Sequence, residues 1–248
     1  MDCSVSHPIR ITSHLRRLLR FSRSLAFPDV CPACLAEYSD SPARVCRECR
    51  KMLPELPAPQ CTRCGAVVDG VLDVCAECQQ TGPRPWEQGT SVFSYGGYVR
   101  ELVHRFKYNG GTALTPFFAR RMADAWLRTA AETPDLITPV PLHWMRRFQR
   151  GYNQAGLLAT RIGRHLQIPV HTVLTRTKRT RQQAQLDMNR RRQNVEKGFK
   201  PRTQEKIAGA RILLVDDVFT TGATLAAAAT ALKKGGAERV SVLTLARG

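Results

Sequence analysis

The sequence predicts an α/β fold: a mostly parallel sheet with helices on both faces, preceded by a small cysteine-rich module. Three observations predict it. Ile212-Leu213-Leu214-Val215 is an apolar run too short for a helix and suited to a strand buried on both faces. It leads through a polar turn into an alanine-rich helix, Leu225 to Lys234, stopped by Gly235-Gly236. Short apolar runs alternate with helical patterns throughout residues 86–248, the order of βαβ units with right-handed crossovers. Eight of the nine cysteines form four Cys-x-x-Cys pairs within residues 28–82.

Composition narrows the partners before any motif does. The formal charge is +18 over 248 residues, which predicts a polyanion or an acidic membrane surface as partner. Hydrophobic content of 43% suffices for a core, and no run approaches the ~20 apolar residues of a membrane span. The N-terminus lacks the apolar core of a secretory signal, so a cytoplasmic protein is expected.

Residues 1–27 carry Arg10, Arg16, Arg17, Arg20 and Arg23, with Ile11, Leu15, Leu18, Phe21 and Leu25 near a helical stripe. A basic amphipathic helix ending at Pro28 is expected. Packing on the rest of the protein is favoured over lipid-surface binding or a transit peptide.

Across residues 28–82 the pairs are Cys31/Cys34, Cys46/Cys49, Cys61/Cys64 and Cys75/Cys78. Each pair offers two thiolates to one ion, and two pairs complete a tetrahedral S₄ site. Pairing consecutive knuckles gives one zinc at Cys31, Cys34, Cys46 and Cys49, and another at Cys61, Cys64, Cys75 and Cys78; crossed pairing stays open. Zinc is preferred over iron–sulfur or dithiol redox chemistry because four even pairs suit two closed structural sites. Pro83 and Pro85 read as a stiff exit linker.

In the 86–248 domain, Ser91–Tyr95 reads as a strand and Val99–Tyr108 as a helix closed by Gly110-Gly111. A helix from Thr115 or Pro116 to about Ala131 and a strand at Leu136–Val140 follow. The basic loop His143 to Gln154 comes next, with Asn153 expected to cap a helix to about His165. Its arginines suit a diphosphate, whereas His143 earns no catalytic role on its own. Strands at 170–175, Ile207–Val215 and Val240–Leu245 complete the sheet. Arg176 to Arg202 carries ten basic residues against Asp187 and Glu196, a long loop suited to closing over a phosphorylated ligand or tracking a nucleic-acid backbone.

The chemistry converges after the central strand. Asp216 and Asp217 would repel a phosphate beside them but accept hydrogen bonds from a ribose diol; magnesium is the other candidate. Thr220, Thr221, Gly222, Ala223 and Thr224 form a turn into a helix N-terminus, where backbone N–H groups suit an anion. A simple helix start capped by Asp217 or Thr221 is the bland alternative. No P-loop or dinucleotide glycine motif occurs.

Asp216 to Thr224 resembles the 5-phosphoribosyl-1-pyrophosphate (PRPP) motif of type I phosphoribosyltransferases. The resemblance gives Asp216 and Asp217 the ribose hydroxyls and Thr220 to Thr224 the 5-phosphate. Together with the four knuckles, Lys107-Tyr108, Arg147-x-x-Arg150-Gly151-Tyr152-Asn153-Gln154, and Gln183, Leu186, Arg191 and Asn194, the chain resembles the ComF/GntX family. That family joins a double zinc ribbon to a type I phosphoribosyltransferase-like domain; Tyr152 stands where Phe is usual. The resemblance implies PRPP binding with Mg²⁺ and a role in DNA uptake during natural transformation, on the cytoplasmic face of the inner membrane. Arg147, Arg150 and, more weakly, Lys107 would meet the diphosphate in a transfer to a nitrogen nucleophile. The competing readings are a non-enzymatic single-stranded DNA binder among DNA-uptake proteins and a PRPP-sensing regulator.

Overall fold

The computed structural model describes residues 30–37, 45–108, 111–142, 148, 150–177 and 198–248. The expected N-terminal helix, His143, Arg147 and residues 178–197 of the basic loop lie outside the described residues. In chain order the elements are α1 (Arg47–Lys51) and α2 (Ala76–Gln80), then β1 (Gln88–Ser94), α3 (Gly97–Tyr108), α4 (Thr115–Thr129), β2 (Leu136–Pro139) and α5 (Gln154–Leu166). After these come β3 (Leu174–Arg176), β4 (Phe199–Pro201), β5 (Arg211–Phe219), α6 (Ala223–Lys234) and β6 (Arg239–Arg247).

The main sheet has the order β1-β6-β5-β2, and every pairing in it is parallel. Burial on both faces explains why its inner strands read as continuous apolar runs. Leu213, Val215, Leu243 and Leu245 share a core with α3, α4 and α5, through Phe106, Phe118 and Leu158. Ile212, Leu214, Val240 and Val242 share another with Leu225, Ala228 and Leu232 of α6. Alanines at 227, 228, 229 and 231 let α6 lie close to the sheet. Among the described residues, no helix is long and apolar enough to cross a membrane.

Two strands differ from expectation. β5 begins at Arg211 rather than Ile207, which closes a 3-10 turn, and it runs through both aspartates to Phe219. The cause is unequal partners. Pairing with β6 continues to Phe219↔Arg247, whereas pairing with β2 ends at Pro139↔Val215. The run at 170–175 is not one strand: Val170 bridges Ile137 in parallel, and Leu174 to Arg176 turn away to pair antiparallel with β4.

The cysteine module is fused to the sheet edge, so Pro83 and Pro85 do not act as a spacer. The Gly89 N–H donates to the Thr62 carbonyl and the Leu56 N–H to the Val92 carbonyl, both at 2.7 Å. Ser91 Oγ donates to the Cys64 carbonyl at 3.0 Å, and Trp86 Nε1 to the Arg63 carbonyl at 2.7 Å. These bonds cover an edge strand that would otherwise offer unpaired backbone groups. The approach needs glycine: a Cβ at Gly89 would stand 2.2 Å from the Arg63 oxygen. Each half of the module also feeds a different core. Cys31, Cys49 and Leu53 join the α3–α5 side, while Cys61, Cys64 and Cys78 join the α6 side with Trp86 and Phe219.

Candidate phosphosugar cleft and paired thiolate centres

The structure resolves the knuckle pairing as consecutive. Cys31, Cys34, Cys46 and Cys49 form one cluster and Cys61, Cys64, Cys75 and Cys78 the other, each with all sulfurs within 4.8 Å of one another. Cys34 and Cys46 sulfurs lie 3.8 Å apart, and Cys64 and Cys75 sulfurs 3.6 Å apart. Four sulfurs at about 2.3 Å from a tetrahedral zinc would stand about 3.8 Å from each other, so the donor set fits zinc. Burial raises Cys31 and Cys61, but backbone N–H groups such as that of Cys46 outweigh it and hold both at about 7. Burial pushes Cys49 up to about 12 and raises Cys64 and Cys78 as well. A divalent cation is what would let four crowded thiols ionise together.

The second centre is a cleft of about 280 Å³ at the carboxyl ends of the strands. It opens where β2 stops and β5 continues. Asp216, Asp217, Thr220 and Thr224 line it, together with Lys107 and Arg150. Phe219 does not block it: that ring is 1% exposed and packs edge-on to Trp86 at 6.1 Å. A larger cavity of about 350 Å³ at the opposite ends of the strands gathers none of the expected phosphosugar-site residues.

The two aspartates sit in different fields. Burial and the neighbouring Asp217 carboxylate push Asp216 up to about 7, against the opposing pull of the Asp217 N–H that donates to its Oδ1 at 2.9 Å. Asp217 Oδ1 lies 3.1 Å from Lys107 Nζ, both side chains largely buried. Lys107, expected to meet a diphosphate, is here paired with Asp217.

The turn departs from the bland reading in its cap. Asp217 does not cap α6; Gly222, at φ 76°, is the N-cap residue and has no side chain to offer, so the Thr221 hydroxyl beside it takes the first helical N–H. The next first-turn N–H groups, those of Thr224 and Leu225, have no side-chain acceptor, which suits them to an anion. A Cβ at Gly222 would lie 2.7 Å from the Phe219 ring, so both conformation and space demand glycine. Thr221 Oγ1 accepts from the Ala223 N–H at 3.4 Å.

The motif from Arg150 to Gln154 supplies the scaffold. Arg150 donates to Gln154 Oε1 at 3.2 Å and to Tyr108 Oη at 2.7 Å, and stacks 4.5 Å from the Tyr108 ring centroid. Tyr152 Oη donates to the Phe106 carbonyl at 2.6 Å, and buried Gln154 to the Lys107 carbonyl at 3.2 Å. Asn153 is the N-cap residue of α5, as expected, but its side chain makes no capping bond; its Nδ2 donates instead to the Val140 carbonyl at 3.1 Å. These bonds tie the end of α3 to the ends of β2 and α5. Sequence reasoning missed Asn153 and Gln154 as cleft residues, and also Arg176 and Tyr95. The polar run after Arg150 was the available signal for the first two; Arg176 read only as the start of a charged loop.

Comparison with known proteins agrees with both centres. A double zinc ribbon domain matches residues 23–80, and a phosphoribosyl transferase domain matches residues 149–248. Competence protein F of Haemophilus influenzae is 32% identical over 209 residues, covering 82% of this chain and 90% of that protein. The chain belongs to the competence protein F (ComF) family. The DNA utilization protein YhgH of Escherichia coli O157:H7 is similar too, 30% identical over 90% of this chain and 99% of its own. Among solved structures, the Bacillus subtilis glutamine PRPP amidotransferase complexed with ADP and GMP overlaps at a TM-score of 0.39. That overlap is 19% identical and covers 56% of this chain and 29% of that one. The ComF domain order, ribbons before the phosphoribosyltransferase-like sheet, is the order observed here.

Proposed function

We propose that this ComF-family protein binds PRPP, or a related 5-phosphorylated ribose, in the β5–α6 cleft and acts in DNA uptake. One observation carries the ligand class: two adjacent carboxylates, on the stretch of β5 that runs beyond its β2 partner, lead directly into an α6 start whose Thr224 and Leu225 N–H groups have no side-chain acceptor. Acids face a diol best and free N–H groups face an ester phosphate best, so the order of groups matches a ribose 5-phosphate end to end. Arg150, and Arg147 from the adjoining loop, would take the diphosphate. Asp216 and Asp217 would offer oxygen donors to a magnesium ion bound with that diphosphate, whose charge would neutralise the leaving group. If an acceptor nitrogen is supplied, the protein's own part is to hold the ribose and fix the phosphate while C1 is attacked.

A DNA-binding role, separate from that cleft, is favoured by the +18 charge and by what the relatives' names say of them. DNA lacks the 2-hydroxyl that two carboxylates recognise, so single-stranded DNA should use the basic surfaces and the 176–202 loop. We place the work at the cytoplasmic face of the inner membrane, beside DNA-uptake proteins.

The test is calorimetry of PRPP–Mg²⁺ binding alongside single-stranded DNA binding in Asp216→Asn/Asp217→Asn. The expected result is lost PRPP binding with DNA binding intact and steeply salt-dependent. Failure of the wild-type chain to bind PRPP would end the ligand assignment.

A further inference from the structure

Two arginines outside the cleft touch both centres. Arg84 Nη2 lies 3.9 Å from Cys78 Sγ, and its Nη1 donates to the Thr221 carbonyl at 3.4 Å. Arg247 Nη1 donates to the Thr220 carbonyl at 3.3 Å. The same side chain reaches the Cys64 sulfur, and its other terminal nitrogen pairs with Glu77 beside the Cys75/Cys78 knuckle. Phe219 neighbours both, its ring centroid 5.8 Å from the Arg84 guanidinium and 4.8 Å from that of Arg247. Four thiolates around one divalent ion leave a net charge of about −2, which two guanidiniums would neutralise.

The direction of these bonds matters. In a planar trans peptide the C=O and the following N–H point opposite ways. Holding the Thr220 and Thr221 carbonyls toward the ribbon turns the N–H groups of Thr221 and Gly222 away from it. The Gly248 N–H does the same for the preceding unit by donating to the Phe219 carbonyl at 2.9 Å. Three consecutive peptides are thus fixed from the ribbon side and the chain end, while Thr220 and Thr224 face the cleft.

We propose that Arg84 and Arg247 are positioning residues that make the phosphate turn depend on the second thiolate centre. With Cys61, Cys64, Cys75 and Cys78 ionised around a metal, both guanidiniums are drawn to the sulfurs and hold the turn carbonyls outward. Loss of the metal removes the anionic anchor and releases the turn. The ribbon then serves as part of the binding site rather than as a fold accessory. This rests on the cleft being the phosphosugar site, but its structural half does not.

The test uses the zinc-loaded full chain, with hydrogen exchange of residues 219–224 and ribose 5-phosphate calorimetry as readouts. Arg84→Gln with Arg247→Gln should retain two zinc equivalents, speed exchange in that segment about tenfold and weaken ribose 5-phosphate about tenfold. Chelation should speed the same amides in the wild type and add little in the double variant. If the variant loses zinc, Arg84→Lys alone replaces it, since lysine keeps the charge but loses the fork. Unchanged exchange in 219–224, in the variant or on chelation, overturns the proposal. A wild-type chain that ignores ribose 5-phosphate while its exchange follows the metal sinks the cleft assignment and leaves the coupling standing.

Discussion

Lys107 Nζ stands 3.1 Å from Asp217 Oδ1, joining the last turn of α3 to the stretch of β5 that runs past the end of β2. The pair closes a circuit, because Gln154 holds the Lys107 carbonyl and Arg150 holds Gln154. One carboxylate of the cleft is therefore ion-paired before any ligand arrives; on the other, Asp216, the pull of Lys107 and Arg176 is outweighed by burial and by Asp217.

Breaking that pair on one side should cost more than removing both partners. Lys107→Met leaves Asp217 without its cation and should destabilise by about 1–3 kcal/mol in urea unfolding, whereas Lys107→Met/Asp217→Asn should recover part of the loss. An additive double mutant would show that the two do not interact.

Asp216 predicts a pH dependence. Asp216 is raised to about 7 from an ordinary value of 3.8, so between those limits the folded state binds the proton that the unfolded state has released. Its contribution to stability is fully present below about 4 and declines as pH rises through 7. Asp216→Asn should thus melt higher than the wild type at pH 8, with the gap shrinking towards pH 4. A pH-independent gap contradicts the assignment.

Tyr152 gives a milder test. Tyr152→Phe removes only the hydroxyl that bonds the Phe106 carbonyl at 2.6 Å, so a loss of about 1 kcal/mol is expected. Ligand binding should persist, because the ring and Arg150–Gln154 remain.

Ribbon docking can be probed by one methyl group. Gly89→Ala would place Cβ 2.2 Å from the Arg63 oxygen, while at Gly96 it would meet nothing within 4 Å. Gly89→Ala should cost about 2 kcal/mol or more and bare the β1 edge to association; Gly96→Ala should be near neutral. Light scattering on both proteins checks the second half.

The sequence alone determined the elements whose signal is local. Buried parallel strands must be apolar on both faces, and Cys-x-x-Cys must offer two thiolates to one point; so the α/β domain, the ribbons and the acidic-turn-helix constellation were readable. Tertiary structure decided what depends on partners far along the chain. β5 keeps its strand through Asp216 and Asp217 only because β6 runs beside it, and Asn153 spends its amide on Val140 rather than on its own helix. Arg84 and Arg247 carry no local signal, since nothing in the residues beside them reveals that a thiolate cluster and a turn meet on either side. Hydrogen-bond partners across more than a hundred residues are set by packing, and no local pattern encodes them.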